Sequence, residues 1–175
     1  LLGNPVEHSL SPAIHNAAFQ KLGLNLVYLA FRVEAIGEAI KGLRALGGFR
    51  GASVTIPHKV SSIPFLDEID STARHIGAIN TIVVKQGALI GYNTDATGAL
   101  RALRGGAGSL AGKRVVMLGS GGAARAIAFA LAGEAGLAGL TLLGVDANER
   151  SRLAADLRSK TSLSVEEAHL DEGVL

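Results

Sequence analysis

The sequence predicts an α/β protein, and three observations support this. Extended apolar segments alternate with helical patterns along the first half of the chain, a glycine turn stands directly between a strand pattern and a helix pattern at 119–124, and the composition supports a core. Of the 175 residues, 48% are hydrophobic and 18% charged, which excludes wholesale disorder. No Cys is present, so neither a disulfide scaffold nor a thiolate metal site can form; the absence sits most easily with a reducing cytoplasm. No apolar run reaches the roughly 18 residues that a membrane span needs, so no membrane partner is expected. A formal net charge of +2, spread evenly, leaves no footprint for nucleic acid.

The chain opens in an extended apolar segment that turns at Gly3-Asn4-Pro5. Ser11 before Pro12 reads as an N-cap followed by proline at the first helical position; Ile14, Ala17, Ala18 and Leu22 follow at helical spacing, and Gly23 closes the helix. Asn25 to Val33 reads as a buried strand, Ile36 to Leu46 as an amphipathic helix, and Ala52 to Ile56 as a short strand whose carboxyl end leads into Pro57, His58 and Lys59. That alternation predicts a mostly parallel layer with its ligand site at the carboxyl ends of the strands. Residues 66–77 read as helical, and Ile79 to Val84 and Ala88 to Tyr92 flank Gln86-Gly87 as a hairpin. From Asp95 a helix runs to Arg104, and the glycine-rich stretch after it reads as a flexible link. The expected division is therefore a first domain over 1–104, a link over 105–111 and a second domain over 112–175. In the second, Arg114 to Leu118 and Leu140 to Val145 read as strands, and 123–133 and 148–160 as helices.

Gly119-Ser120-Gly121-Gly122-Ala123-Ala124 satisfies G-x-G-x-x-A between the strand at 114–118 and the helix at 123–133. The first glycine permits the tight turn, the second lets a pyrophosphate approach the backbone, and the small Ala124 allows close packing of helix on strand. The same turn also reads as glycine needed only for packing. Asp146 follows the next strand at about the distance expected of an acidic residue that binds the adenine ribose, and it reads equally as a helix N-cap.

Polar residues interrupt the apolar pattern where elements of the first domain end: Ser9 and Ser11, Thr55 and Lys59, Asn80 and Thr81, then Asn93, Thr94 and Asp95. Each has an ordinary explanation as a cap, a turn amide or a surface lysine. Together, hydroxyls and amides can orient a polyhydroxylated ligand, and a lysine fixed by a carboxylate can deliver a proton to a developing alkoxide.

Five runs of residues, Gly3 to Pro12, Val54 to Lys59, Gly77 to Thr81, Gly91 to Asp95 and Gly119 to Ala123, stand in an order that resembles the shikimate dehydrogenase family. The resemblance implies an N-terminal three-layer α/β substrate domain followed by a Rossmann dinucleotide-binding domain, here truncated, since the family's chain is longer. It implies reversible NAD(P)H-dependent reduction of 3-dehydroshikimate to shikimate, in chorismate and aromatic amino-acid biosynthesis, by a cytoplasmic monomer or homodimer. Carried over by position, Ser9 and Ser11 bind the substrate carboxylate, Thr55, Asn80 and Asp95 contact its hydroxyls, and Lys59 with Asp95 forms the catalytic pair. Gly119, Ser120, Gly121, Gly122 and Ala123 form the cofactor loop.

The chain departs from the family at Ser53, where Asn is common, and at Gly144-Val145-Asp146, where an Asn-Arg-Thr motif grips the 2′-phosphate of NADP. Arg150 and Arg152 remain as phosphate partners, while Asp146 favours NAD or dual use. A quinate/shikimate dehydrogenase using NAD is therefore a second reading. A remnant that binds ligand without turnover is a third, of another class. A folate-type dehydrogenase fits less well, because 4% aromatic residues give little to line a pterin slot.

Overall fold

A computed structural model describes residues 1–133 and 136–169. The chain divides into two compact units, Leu1–Asn93 and the residues from Thr94 onward. Among the described residues no helix is long and apolar enough to cross a membrane.

The first unit runs β1 (Leu2–Gly3), α1 (Ser11–Lys21), β2 (Phe31–Arg32), α2 (Ile36–Arg44), β3 (Gly51–Ser53), a 3-10 turn (Ile63–Phe65), β4 (Glu68–Ile69), α3 (Ser71–Ile76), β5 (Thr81–Lys85) and β6 (Ala88–Tyr92). β1 and β2 pair in parallel, a parallel bridge from Leu2 to Val54 continues to the β3 segment, and β3-β5-β6-β4 follow in that order. The direction is mixed rather than mostly parallel, because β5 runs antiparallel to both β3 and β6. The expected hairpin explains this: Gln86 and Gly87 have φ of 52° and 85°, the left-handed pair that a two-residue turn requires. Leu2, Val33, Val54, Ile79, Ile82 and Leu89 from the sheet side meet Ile36 and Ile40 of α2 and Ala73 of α3 in one core.

Three further segments differ from the sequence reading. Residues 25–30 of the expected strand Asn25 to Val33 are not strand, and β2 is confined to Phe31–Arg32, paired with Leu2 and Gly3. The helix read over 66–77 begins only at Ser71, because Glu68–Ile69 pairs with β6 and the Asp70 side chain caps the helix by accepting from the Thr72 N–H. Ser11 is not the N-cap of α1 but its first residue; Leu10 holds the cap position. The apolar positions of α1 also stay outside the core: Leu10, Ile14 and Leu22 are exposed, as are Leu24, Leu26, Val27 and Leu29 beyond it.

Asp67 ties this unit together across sequence. Its carboxylate accepts from Arg44 of α2 at 2.8 Å and from the Leu89 N–H of β6 at 2.7 Å. The Arg44 hydrogen bond, followed by the Leu89 amide, holds its pKa below the usual carboxylate value. The native state thus binds fewer protons here than the unfolded chain, so this contribution is present above the unfolded pKa of about 4 and is lost as pH falls. Urea midpoints taken between pH 6 and pH 3 should fall less steeply for Asp67→Asn than for the parent chain; an identical slope would remove Asp67 from the acid response.

The second unit runs α4 (Asp95–Ala107), β7 (Arg114–Leu118), α5 (Gly122–Ala132), β8 (Gly139–Gly144), α6 (Ala147–Lys160) and β9 (Val165–His169). β7-β8-β9 form a parallel sheet in that order, each strand joined to the next through a helix. Ala126, Phe129 and Leu131 of α5 and Leu153, Ala154 and Leu157 of α6 are buried, and Arg125 of α5 forms an ion pair with Asp156 of α6. Gly105 and Gly106, read as the start of a flexible link, are instead the last turn of α4. The Gly108 N–H closes that turn onto the Arg104 carbonyl, and Gly108 takes a positive φ of 67°. Residues 134, 135 and 170–175 of the second predicted domain lie outside the described residues.

Candidate active site

The polar residues of the first unit stand where its short strands end or begin: Thr55 follows β3, Asn93 follows β6, and Asn80 precedes the antiparallel β5. The Thr55 N–H donates to the Leu2 carbonyl at 2.9 Å, the Asn4 N–H to Ile56 at 2.8 Å, and the Val33 N–H to Gly3 at 2.9 Å. Gly3 is required by this closeness: a Cβ there would stand 2.3 Å from Thr55 Cγ2 and 2.9 Å from the Ile56 carbonyl. The next turn is closed by the Ser9 N–H on the Val6 carbonyl, and the Ser11 N–H donates to Ser9 Oγ at 3.2 Å. Together these segments line an open pocket of about 260 Å³ formed by Leu1, Pro5, Val6, His8, Ser9, Ser11 and Thr55. Three of the expected substrate residues, Ser9, Ser11 and Thr55, thus share one cavity, and their hydroxyls suit an anionic, oxygen-rich ligand.

Lys59 and Asn80 do not line that cavity, but the same backbone ladder holds them. The Ile79 N–H donates to the Lys59 carbonyl at 2.8 Å and the Val54 N–H to the Asn80 carbonyl at 2.8 Å. Thr81 Oγ1 donates to Asn80 Oδ1 at 2.8 Å and so fixes which way the amide points. Asn93, grouped by sequence with Thr94 and Asp95, is buried, and its amide donates to the Ala78 carbonyl at 3.0 Å. Asp95 opens α4 in the second unit, where a carboxylate in the first turn complements the helix dipole. One group not singled out by sequence reading is His58, buried with Nε2 2.7 Å from the Val33 carbonyl. Its only signal is its place between Pro57 and Lys59.

In the second unit, Gly119 takes a φ of 103°, which glycine alone adopts readily, and its N–H donates to the Leu143 carbonyl at 2.6 Å. Gly121 is the N-cap of α5 with extended backbone. A Cβ on Gly119 would meet nothing within 4 Å, and one on Gly121 only the Glu149 carboxylate at 3.9 Å. Packing within the unit therefore does not demand glycine at 121. The space over the α5 N-terminus fits the approach of a dinucleotide pyrophosphate to Gly119, Ser120, Gly121, Gly122 and Ala123.

The end of β8 is occupied differently from expectation. Asp146 Oδ1 accepts the Glu149 N–H at 2.9 Å, so the structure gives Asp146 the capping role at α6. Arg150, offered by sequence as a phosphate partner, is largely buried; its Nη1 donates to the Gly144 carbonyl at 2.5 Å and its Nε stands 3.8 Å from Glu167. A Cβ on Gly144 would meet Ser120 Oγ at 2.9 Å. Glu167, which also accepts from Arg158 at 2.9 Å and Ser151 at 3.0 Å, is held below the usual carboxylate pKa, chiefly by Arg158.

A polar strand-end pocket in a mixed α/β unit, followed by a strand, glycine turn and helix of the Rossmann type, makes a two-part α/β protein whose second unit has the dinucleotide-binding pattern. A family model described as the shikimate dehydrogenase substrate binding domain matches residues 1–82. The chain is 55% identical over 159 residues to shikimate dehydrogenase (NADP(+)) of Moorella thermoacetica, covering 90% of this chain and 53% of that one. The crystal structure of shikimate 5-dehydrogenase from Listeria monocytogenes in complex with shikimate and NAD superposes with a TM-score of 0.83 at 35% identity, over 96% of this chain and 59% of that one. Quinate dehydrogenase from Corynebacterium glutamicum in complex with NAD gives a TM-score of 0.83 at 28% identity, over 96% and 62%. The chain belongs to the shikimate dehydrogenase family and spans about half the length of the curated relative described.

Proposed function

We propose that this chain performs the reversible NAD(P)H-dependent reduction of 3-dehydroshikimate to shikimate, a cytoplasmic step of chorismate and aromatic amino-acid synthesis, as a monomer or homodimer. The observation that carries this reading is the convergence of Ser9, Ser11 and Thr55 on one pocket, within the stretch that matches a substrate-binding model. Ser9 and Ser11 donate hydrogen bonds to the substrate carboxylate, and Thr55, Asn80 and Asp95 take its hydroxyls. Lys59 gives its proton to the carbonyl oxygen as that oxygen gains charge, and Asp95 is the carboxylate of the proposed catalytic pair. The nicotinamide, when bound, supplies the hydride that reduces the carbonyl carbon. Gly119, Ser120, Gly121, Gly122 and Ala123 hold its pyrophosphate against the N-terminus of α5.

NADP is the cofactor in the name of the Moorella relative. A second reading, a quinate/shikimate dehydrogenase using NAD, is favoured by a specific feature of this chain. The β8 end presents Gly144, Val145 and Asp146 instead of an arginine, Arg150 is engaged with Gly144 and Glu167, and the Glu149 carboxylate stands beside Gly121. Initial rates with shikimate and with quinate, each with NADP and with NAD, test both readings. Turnover of shikimate with either nucleotide is the expected result. Binding of shikimate without any nicotinamide absorbance change, using a preparation that binds nucleotide, would defeat the enzymatic reading, and a strong preference for NADP would defeat the second.

A further inference from the structure

Lys59 can deliver a proton to one oxygen only if the backbone beneath it is held still, and the residue before it is built to do that. His58 is 5% exposed, and its Nε2 stands 2.7 Å from the Val33 carbonyl. A carbonyl only accepts, so Nε2 carries the proton and donates it there. Val33 follows β2, whereas His58 follows the β3 segment, and β1 lies between the two, paired with β2 and bridged to Val54. The imidazole thus crosses from the end of one strand to the end of another, past the Gly3-Asn4 turn.

The backbone of His58 is equally engaged. Its N–H donates to the Thr55 carbonyl at 2.8 Å, and its own carbonyl accepts from the Ser62 N–H at 3.0 Å, so residues 55–62 form a closed turn. On the β5 side that turn is anchored where the Lys59 carbonyl accepts the Ile79 N–H. On the β2 side its anchor is the His58 side chain. Without that donor, the turn would lose its tie to the β2 side and keep those to Ile79 and, through Thr55 and Ile56, to Leu2 and Asn4.

We propose that His58 is a positioning residue for Lys59, acting through its Nε2–H···O=C bond to Val33; this rests on the reading of Lys59 as the proton donor. The role asks for a donor at the reach of Nε2, not merely for a polar or aromatic filler. Gln places an N–H donor at about that reach and Asn falls one methylene short, so the pair isolates reach from chemistry.

The test is steady-state kinetics on the full chain carrying His58→Asn or His58→Gln, with circular dichroism to verify folding at the assay temperature and Lys59→Ala run alongside. His58→Asn should lower kcat by about tenfold or more while KM for shikimate changes less than about threefold, because misplacing a proton donor acts on the transition state rather than on binding. His58→Gln should recover most of the lost rate. A full-rate His58→Asn, or a His58→Gln as slow as His58→Asn, overturns the positioning role while a slow Lys59→Ala leaves the proposed function standing. A full-rate Lys59→Ala overturns the assignment of Lys59 and the role of His58 with it.

Discussion

Replacing Lys59 with alanine is expected to lower kcat for 3-dehydroshikimate reduction by about 100-fold to 10,000-fold, with a much smaller change in KM. The hydride leaves a developing alkoxide behind, and a proton delivered within the site removes that charge in the transition state. The ammonium also offers hydrogen bonds to the bound substrate, but these exist in the ground state and enter KM and kcat/KM together. Lys59→Arg separates charge from proton transfer, since a guanidinium keeps the charge and does not surrender its proton; it should remain slow. Nucleotide affinity, measured by fluorescence titration, should be unaltered in both variants, because the proposed pyrophosphate contacts are made by the glycine loop and not by Lys59. A Lys59→Ala enzyme with the parent kcat would exclude Lys59 from proton transfer.

The second large effect is expected at Gly121. Replacement by alanine adds a methyl group whose nearest neighbour is the Glu149 carboxylate at 3.9 Å, and the backbone at 121 is extended, so neither crowding nor strain opposes it. Losing glycine at the N-cap for alanine costs about 1 kcal/mol of helix stability, so the melting temperature should fall by only several degrees. A pyrophosphate lying on that backbone, however, would meet the methyl directly. The nucleotide dissociation constant should therefore rise about tenfold or more, equivalent to about 1.4 kcal/mol for each factor of ten. Unchanged affinity with a large drop in melting temperature would restore the packing reading of this glycine.

Much of the architecture was legible because local pattern and tertiary structure agree. Gln86-Gly87 is a turn that only a hairpin uses, and Arg114 to Leu118 followed by Gly119 to Ala124 fits a strand, a tight turn and a close-packed helix. Legibility failed where pairing rather than composition decides. Asn25 to Val33 has the apolar character of a buried strand, yet Leu26, Val27 and Leu29 are exposed and the strand is confined to Phe31–Arg32. Glu68–Ile69 joined the sheet through β6, which no local signal in 66–77 reveals. β9 carries Glu166, Glu167 and His169 and shows no apolar run, but Glu166 pairs with Arg114, Glu167 with Arg158, and Val165 is buried. Gly105 and Gly106 looked like a link because glycine is a poor helix former, whereas the cost of about 1 kcal/mol each is readily outweighed at the end of a 13-residue helix.

The site was partly legible for the same reason. Ser9, Ser11 and Thr55 interrupt apolar segments that converge, and they meet in the pocket. Asp146 could not be assigned by spacing alone, since a ribose ligand and an α6 cap occupy the same place in sequence; the hydrogen bond from Glu149 gives it the cap. His58 was hidden because its partner, the Val33 carbonyl, lies 25 residues away and is contributed by backbone, which carries no side-chain signature.

The closeness of Gly144 and Ser120 couples the end of β8 to the glycine loop. A side chain introduced at 144 starts from a Cβ 2.9 Å from the Ser120 hydroxyl and 3.3 Å from its Cβ, so Ser120 has to turn its hydroxyl away to admit it. A change at residue 144 is therefore felt at residue 120, and the two positions are expected to be epistatic.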